Sequence, residues 1–303
     1  MFQIDILMAT YNGGRYVAQQ IRSLQNQTYA DWTLWVHDDG STDDTIPILC
    51  RMALSDERIH IVQDEVRLHD PAWNFMYLLR LSRADYAIFC DQDDLWLENK
   101  LQVLMDAMME KDQDVPQAVY GNGYMYYAEK GEISGKALLS TPQSLGETLF
   151  ANGGVQGCAI LMNRKLREIC LNTPSVLCMH DHLVTLAALT FGELTYVDSP
   201  LMLYRRHGEA VTDVRLGTFR EKVITFFKEK KPVLDRKHVE AIRAFVDHYG
   251  NLIPEEKMRL YQCFFKLENQ FKVNAFYTIL AHPFFLYGSK WILLSKLLFR
   301  PLI

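Results

Sequence analysis

Between residues 4 and 90 short apolar runs alternate with segments of helical period, and each run ends in a polar cluster. Residues 4–10 are such a run, ending in Tyr11-Asn12-Gly13-Gly14, after which Val17, Ile21 and Leu24 recur at helical spacing. That pattern predicts strand, loop, helix. Residues 32–37 repeat it, with Asp38-Asp39-Gly40-Ser41 as the loop and a helix start at Thr42 with acidic residues in its first turn. Residues 58–62 read as a third strand. Asp70-Pro71 has the chemistry of an N-cap and first helical residue ahead of Phe75, Leu78 and Leu79, and residues 86–90 read as a buried strand. Parallel strands need crossover connections, so this alternation predicts an α/β fold with a mostly parallel central sheet and helices on both faces. Sheets of that kind bind ligands beyond the carboxyl ends of their strands. In this register Thr10-Tyr11-Asn12, Asp38-Asp39 and Asp91-Gln92-Asp93-Asp94 converge on one rim.

At 303 residues and 49% hydrophobic, the chain can bury one large core and carry an appended segment. A net charge of −5 gives the whole molecule no signature of nucleic-acid binding, so no such partner is expected. The six cysteines, at 50, 90, 158, 170, 178 and 263, form no C-x-x-C pair, which argues against a zinc site or a disulfide framework. The opening Met1-Phe2-Gln3-Ile4-Asp5 lacks a signal-peptide pattern, and no uncharged stretch of about 18 residues is free of Pro and Asn. A cytoplasmic location is expected. In the second half, residues 152–157 are glycine-rich, a helix is expected over residues 181–189, and short strands near residues 194–197 and 201–204. Composition changes near Val214, where residues 215–237 hold eight Lys or Arg against three acids. The expected organisation is a catalytic domain over 1–213 and a helical, basic and aromatic extension over 214–303.

Two carboxylates one residue apart at a strand end can reach one hard divalent cation, Mn²⁺ or Mg²⁺, whose remaining positions go to diphosphate oxygens and water. Such an ion neutralises charge on a departing nucleoside diphosphate. A lone D-x-D-D string is equally a solvated turn or a helix N-cap, since Asp suits both. The buried run before it favours the site reading, because crowded aspartates repel one another unless a cation offsets them.

Three strings, Met8-Ala9-Thr10-Tyr11-Asn12-Gly13, His37-Asp38-Asp39-Gly40-Ser41-Thr42-Asp43 and Phe89-Cys90-Asp91-Gln92-Asp93-Asp94-Leu95-Trp96, resemble in this order the family 2 glycosyltransferases, which have the GT-A fold and invert anomeric configuration. The resemblance spans roughly residues 3–210. Met179-His180-Asp181 and Tyr204-Arg205-Arg206-His207-Gly208 are similar to the bacterial rhamnosyltransferase-like members. The resemblance implies that Thr10, Tyr11 and Asp39, with Asn12 beside them, bind the nucleoside of a dTDP- or UDP-sugar. Asp39 would accept from a pyrimidine imide, a donor suited to an ionised carboxylate. Asp91 would lie by the ribose and the metal, and Asp93 would hold the metal. Without the resemblance, Asp38-Asp39-Gly40 is also a plain turn and Tyr11 ordinary rim packing.

An inverting transfer needs a carboxylate to take the acceptor hydroxyl's proton as it attacks the anomeric carbon from the face opposite the leaving group. Asp181 is the candidate base on the resemblance; read alone it is a helix N-cap. His180 and His182 read as packing or hydrogen-bonding residues. His207 is either a turn histidine or a metal ligand, and Arg205 and Arg206 are candidates for diphosphate contact, with Arg206 taken as the binding residue. Residues 152–157 bring backbone close to the sugar or form a plain loop.

The last forty residues interleave Phe, Trp and Leu with Lys272, Lys290, Lys296 and Arg300, a pattern that suits interfacial helices on a membrane surface, a partner interface or a packed helical extension. A lipid-linked or polysaccharide acceptor would explain a peripheral place on the inner face of the cell membrane. The leading expectation is a metal-dependent transferase moving L-rhamnose from dTDP-rhamnose. A nucleotidyltransferase is the second reading, although the loop after the first strand offers Arg15 as its one basic residue. A non-catalytic nucleotide-sugar-binding scaffold in a glycan assembly complex is the third.

Overall fold

The computed structural model describes residues 2–138, 140–206 and 231–303. Its first half runs β1 (Ile4–Thr10), α1 (Val17–Gln25), β2 (Trp32–Asp38), α2 (Thr45–Ser55), β3 (Ile59–Ile61), α3 (Pro71–Leu81) and β4 (Tyr86–Cys90). After β4 come β5 (Leu95–Trp96), α4 (Lys100–Met109), β6 (Gln117–Tyr127), β7 (Glu132–Lys136), α5 (Leu145–Thr148) and β8 (Ile160–Asn163). Then follow α6 (Arg164–Leu171), α7 (His180–Phe191), β9 (Glu193–Arg206), α8 (Arg236–Tyr249), α9 (Glu255–Lys266), α10 (Lys272–Ala281) and α11 (Lys290–Phe299).

One sheet carries the order β3-β2-β1-β4-β8-β6-β9-β5, with β7 paired to β6. Strands β3, β2, β1 and β4 are parallel, as the crossover pattern predicts. Beyond them β8 is antiparallel to β4 and β6, and β9 is parallel to β6. The alternation of side chains along a strand sorts the core into two layers. Ile4, Ile6 and Met8 of β1 and Ile88 of β4 face the cluster built with α1, α2 and α4. Leu7 and Phe89 face the opposite cluster, which takes in α3 and α7. Each fully buried Leu or Ile adds about 1.5–3 kcal/mol over leaving it exposed, so both faces of this sheet stabilise the fold.

Several local expectations hold. Asp70 caps α3 through its carboxylate, which accepts from the amides of Ala72 at 2.8 Å and Trp73 at 3.1 Å, with Pro71 first in the helix. The second helix begins three residues later than expected, because Asp43 turns back to accept from the amides of Thr45 at 3.0 Å and Gly14 at 2.9 Å. The two short strands expected near residues 194–204 are one long irregular strand, β9, whose pairing with β6 shifts register around Asn122.

The expected domain boundary at 213/214, His207 and nearly all of the basic stretch over 215–237 lie outside the described residues. From residue 236 onward the extension is helical, and it shares a core with the rest. Val239, Ile242, Phe245, Tyr261 and Phe264 belong to the same apolar cluster as Leu183 and Leu186 of α7. Among the described residues, no helix is long and apolar enough to cross a membrane.

Candidate active site

The strand ends of β1, β2 and β4 and the first turn of α7 enclose a cleft of about 710 Å³. Tyr11, Asn12, Asp39, Asp91, Asp93 and Asp181 all line it, so the three polar clusters expected at one rim do converge, and Asp181 joins them from the far wall.

The rim is built by side chains that tie loop to loop. Asp38 accepts from the amides of Gly40 at 3.1 Å and Ser41 at 2.7 Å, and from the hydroxyls of Ser41 at 2.6 Å and Thr10 at 2.8 Å. The Thr10 hydroxyl is thus committed to Asp38, and Thr10 acts in the cleft as a wall residue. Asn12, at φ 48°, accepts from the Thr42 amide at 2.9 Å while its own amide donates to the Ser41 hydroxyl at 2.8 Å. Its side chain therefore also braces the rim. Tyr11 is left 56% exposed at the mouth, a flat aromatic face open to a base. Asp39 is buried, and one of its oxygens accepts from the Leu68 amide at 2.6 Å.

The acidic run divides between surface and interior. Asp91 and Asp93 line the cleft, whereas Asp94 is buried and accepts from the Arg205 amide at 3.0 Å. Burial pushes the Asp91 carboxyl up to about 6, the neighbouring Asp93 charge adds to this, and the Cys158 thiol and Lys100 oppose it. Burial likewise raises the Asp94 carboxyl well above the usual range, aided by Asp91 and Asp93. Asp91, Asp94 and Cys158 offer ligand atoms within 4.8 Å of one another. That trio, however, already has an internal cation beside it. Lys100 is 1% exposed, donates to the Cys158 carbonyl at 2.7 Å and lies 3.7 Å from the centre of the Trp96 ring. An external divalent ion is better served by Asp91 and Asp93, which face the cleft. Two hard carboxylates fit such an ion, whose charge would relieve the cost that burial and the Asp93 charge place on ionising Asp91.

Asp181 stands in the first turn of α7, but the N-cap is Met179, so the capping alternative does not hold. Desolvation pushes the Asp181 carboxyl up to about 7, with the Asp91 charge adding to it and the amides of His182 and Gly157 opposing it. Glycines make that wall possible. A Cβ on Gly154 would meet the Asp181 carbonyl at 2.5 Å, and one on Gly157 would meet His180 Nε2 at 2.4 Å. The glycine-rich segment therefore packs on the turn that presents the carboxylate. His180 is buried, its ring centre lies 4.0 Å from that of Phe75 with the planes tilted by 33°, and it is held neutral by burial, which lowers it to about 3.

Of the Arg205-Arg206 pair, Arg205 lines the cleft, as does Arg15 from the loop after β1, and Arg206 is not among the lining residues. Arg205 is clamped: its guanidinium donates to the Asp93 carbonyl and, at 2.8 Å, to Gln19 Oε1, and lies 4.5 Å from the Tyr16 ring centre. Its main effect is to hold the acidic loop. The sequence suggests no role for Lys100 or Gln92: Lys100 follows Glu98 and Asn99 as a surface lysine would.

The family model described as glycosyl transferase family 2 matches residues 5–169. The chain is similar to a dTDP-rhamnosyl transferase, RfbG, of Shigella flexneri, with 28% identity over 213 residues, 66% of this chain and 71% of the relative. It is also similar to an Escherichia coli protein, WfgD, named UDP-Glc:alpha-D-GlcNAc-diphosphoundecaprenol beta-1,3-glucosyltransferase, with 29% identity over 167 residues, 54% of this chain and 62% of the relative. Among solved structures, Staphylococcus aureus TarS 1–349 in complex with UDP superposes with a TM-score of 0.59 at 14% identity, covering 90% of this chain and 74% of that one. The mannosyltransferase PcManGT from Pyrobaculum calidifontis, in complex with GDP-Man and Mn²⁺, gives 0.53 at 16% identity over 97% of this chain and 72% of that one. These likenesses show a GT-A-like fold.

Proposed function

The chain belongs to glycosyl transferase family 2 and is a nucleotide-sugar glycosyltransferase, and from that premise we propose that it moves L-rhamnose from dTDP-rhamnose onto a growing surface polysaccharide or lipid-linked glycan, with inversion. The observation that carries this reading is the single cleft in which an exposed aromatic face and a buried carboxylate, Tyr11 and Asp39, stand with the Asp91 and Asp93 pair and with Asp181. The likeness to a relative named for dTDP-rhamnosyl transfer supports rhamnose, and the relative named for an undecaprenol-diphosphate acceptor supports a lipid-linked glycan at the cytoplasmic face of the membrane.

In this reading Tyr11 stacks on the pyrimidine and Asp39 accepts from its imide. Asp91 and Asp93 would hold Mn²⁺ or Mg²⁺, which when bound neutralises charge on the departing diphosphate. Asp181 accepts the proton of the acceptor hydroxyl as that oxygen bonds to the anomeric carbon, while the bond from that carbon to the diphosphate oxygen breaks on the opposite face. Transfer therefore needs Asp181 ionised, and a carboxyl near 7 is well matched to a base working near neutrality. The domain division proposed is catalytic residues up to about 213 and a helical extension after them.

Thermal shift with dTDP-rhamnose, UDP-glucose, UDP-N-acetylglucosamine and GDP-mannose, each with and without Mn²⁺, tests the donor. A ligand that binds only the folded chain raises its apparent stability, by about 2.7 kcal/mol at a hundred times its Kd. The expected result is the largest shift with dTDP-rhamnose and Mn²⁺. A larger shift with another donor removes rhamnose from the reading, and no shift with any donor removes the site.

A further inference from the structure

Helices α10 and α11 are apolar on two sides. One side packs inward, where Ala275, Ile279, Leu293 and Leu297 join the shared core. On the other side of α10, Val273, Phe276, Tyr277 and Leu280 recur at helical spacing and are exposed, Tyr277 at 66%. Along α11 the outward stripe is Trp291, Leu298 and Phe299, with Trp291 72% and Leu298 68% exposed. A surface helix ordinarily turns polar residues to water, and single exposed apolar residues need no explanation, but two neighbouring helices with outward apolar faces, that of α11 interrupted only at Ser295, do.

The charges carried by this stretch of chain have one sign, although Glu147 of α5 approaches the turn before α11 and accepts from the Gly288 amide at 2.8 Å. No Asp or Glu follows Glu268, whereas Lys272, Lys290, Lys296 and Arg300 do. Two of them lock the pair together. Lys272 at the start of α10 donates to the Leu298 carbonyl at the end of α11 at 3.2 Å, and Lys290 at the start of α11 donates to the Leu280 carbonyl at the end of α10 at 2.9 Å. The helices are thus antiparallel, each capped by the other's lysine, with cations at both ends of the apolar face.

We infer that this face docks the protein on an anionic lipid bilayer, with α10 and α11 lying in the plane of the interface. Each helix has ten residues, about 15 Å of rise, half the roughly 30 Å hydrocarbon core, so neither can span it. Apolar and aromatic side chains flanked by lysines, with no acid among them, match acyl chains beneath anionic headgroups. Protein interfaces favour aromatics too, but they are depleted in lysine. The rest of the extension is bonded to the body through Asn152 and His238, so the seated face would be continuous with the catalytic unit. This inference deepens the lipid-linked-acceptor reading and rests on it for its purpose.

Flotation of the full chain with vesicles of phosphatidylglycerol and phosphatidylethanolamine, against pure phosphatidylcholine, tests it. The expected result is co-flotation with the anionic vesicles and at least a tenfold smaller bound fraction for the double variant Trp291→Glu/Leu298→Glu. Raising the salt to 0.5 M should reduce wild-type binding without abolishing it, since screening weakens the charge contribution alone. Both substituted residues are exposed, and unchanged thermal unfolding of the double variant would show that it folds. Wild type that stays at the bottom of the gradient overturns the inference. So does equal binding by the double variant, or a solution dimer that the double variant dissociates in the absence of lipid binding. Calorimetry with dTDP and Mn²⁺ on the same samples separates the two readings: retained nucleotide binding without flotation removes only the docking face, and flotation without nucleotide binding removes only the proposed function.

Discussion

Tyr11 and Gln92 exchange two hydrogen bonds: the Tyr11 amide donates to Gln92 Oε1 at 3.0 Å, and Gln92 Nε2 donates to the Tyr11 carbonyl at 3.0 Å. The second residue of the acidic run thereby fixes the backbone of the residue proposed to stack on the base. A primary amide alone among the common side chains can donate and accept in this way at such length. Gln92→Glu keeps the acceptor but turns a donor toward the Tyr11 carbonyl into a like-signed oxygen, and it adds a charge beside Asp91 and Asp93. The expected outcome is a nucleoside diphosphate affinity lowered about tenfold, equivalent to roughly 1.4 kcal/mol, read by calorimetry. Unchanged affinity would show that the clamp is incidental.

Asp93→Ala should weaken nucleoside diphosphate binding and remove its dependence on a divalent ion. Losing an outer-shell partner of a metal commonly costs 10–100-fold in affinity, and loss of a direct ligand should cost at least about that. Titrating dTDP and UDP with Mn²⁺ and again with a chelator checks this. If the variant binds as the wild type does in both conditions, Asp93 does not hold the metal.

The parts of this site that were legible in the sequence are those set by one strand and its own loop. The ends of β1, β2 and β4 were readable from apolar runs that stop at polar clusters, and Asp70-Pro71 from capping chemistry. What was not legible depends on distant partners. Lys100 is buried because it meets Cys158 and Met202, 58 and 102 residues away, and nothing in its local pattern marks it. Arg205 is held by the Asp93 carbonyl and by Gln19 of α1, both more than a hundred residues away, and nothing in the Arg205-Arg206 string shows which of the two is so held. The extension read as an appendage because its composition differs, yet its inward stripes complete the core beside α7.

Asp181→Asn should retain donor binding and lose transfer by about 10²–10⁴, because the amide keeps the shape but cannot take a proton. Wild-type kcat should rise with pH through about 7, where the carboxyl ionises. A flat profile between pH 5.5 and 8.5, with chemistry rate-limiting, would remove Asp181 as the base.

The same carboxyl has a stability signature of defined sign. Its folded pKa, about 7, lies above the ordinary 3.8, so the folded chain holds the proton more tightly than the unfolded chain. Its stabilising contribution is fully present below about pH 4 and is lost as pH rises through about 7. Asp181→Asn removes this loss. The partly exposed setting screens the effect, so a gain of about 1 kcal/mol, or roughly 2 °C in Tm, is expected at pH 8.5 and none near pH 4. A variant less stable than wild type at pH 8.5 would contradict the desolvation argument.

Asn152 joins the extension to the wall that carries Asp181. Its side chain donates to the Val233 carbonyl at 2.8 Å and accepts from the Asp235 amide at 2.7 Å, while its backbone sits at φ 55°. Asp235 in turn caps α8, accepting from the Lys237 amide at 2.9 Å. Two residues on, Gly154 presses against the Asp181 carbonyl, so a shift at residue 152 is transmitted to the proposed base. Asn152→Gly keeps the left-handed backbone and loses both bonds, and a destabilisation of about 1–3 kcal/mol is expected. Asn152→Ala loses the same bonds and also carries a Cβ at positive φ, so it should be the less stable of the two by about 1 kcal/mol. Thermal unfolding of the full chain ranks them. Both variants should lower kcat more than they raise the donor KM, because the perturbed element is the turn bearing Asp181 and not the nucleoside rim. Stability equal to wild type would show that the bonds contribute nothing, and equal stability of the two variants would refute the backbone argument while leaving the bonds in place.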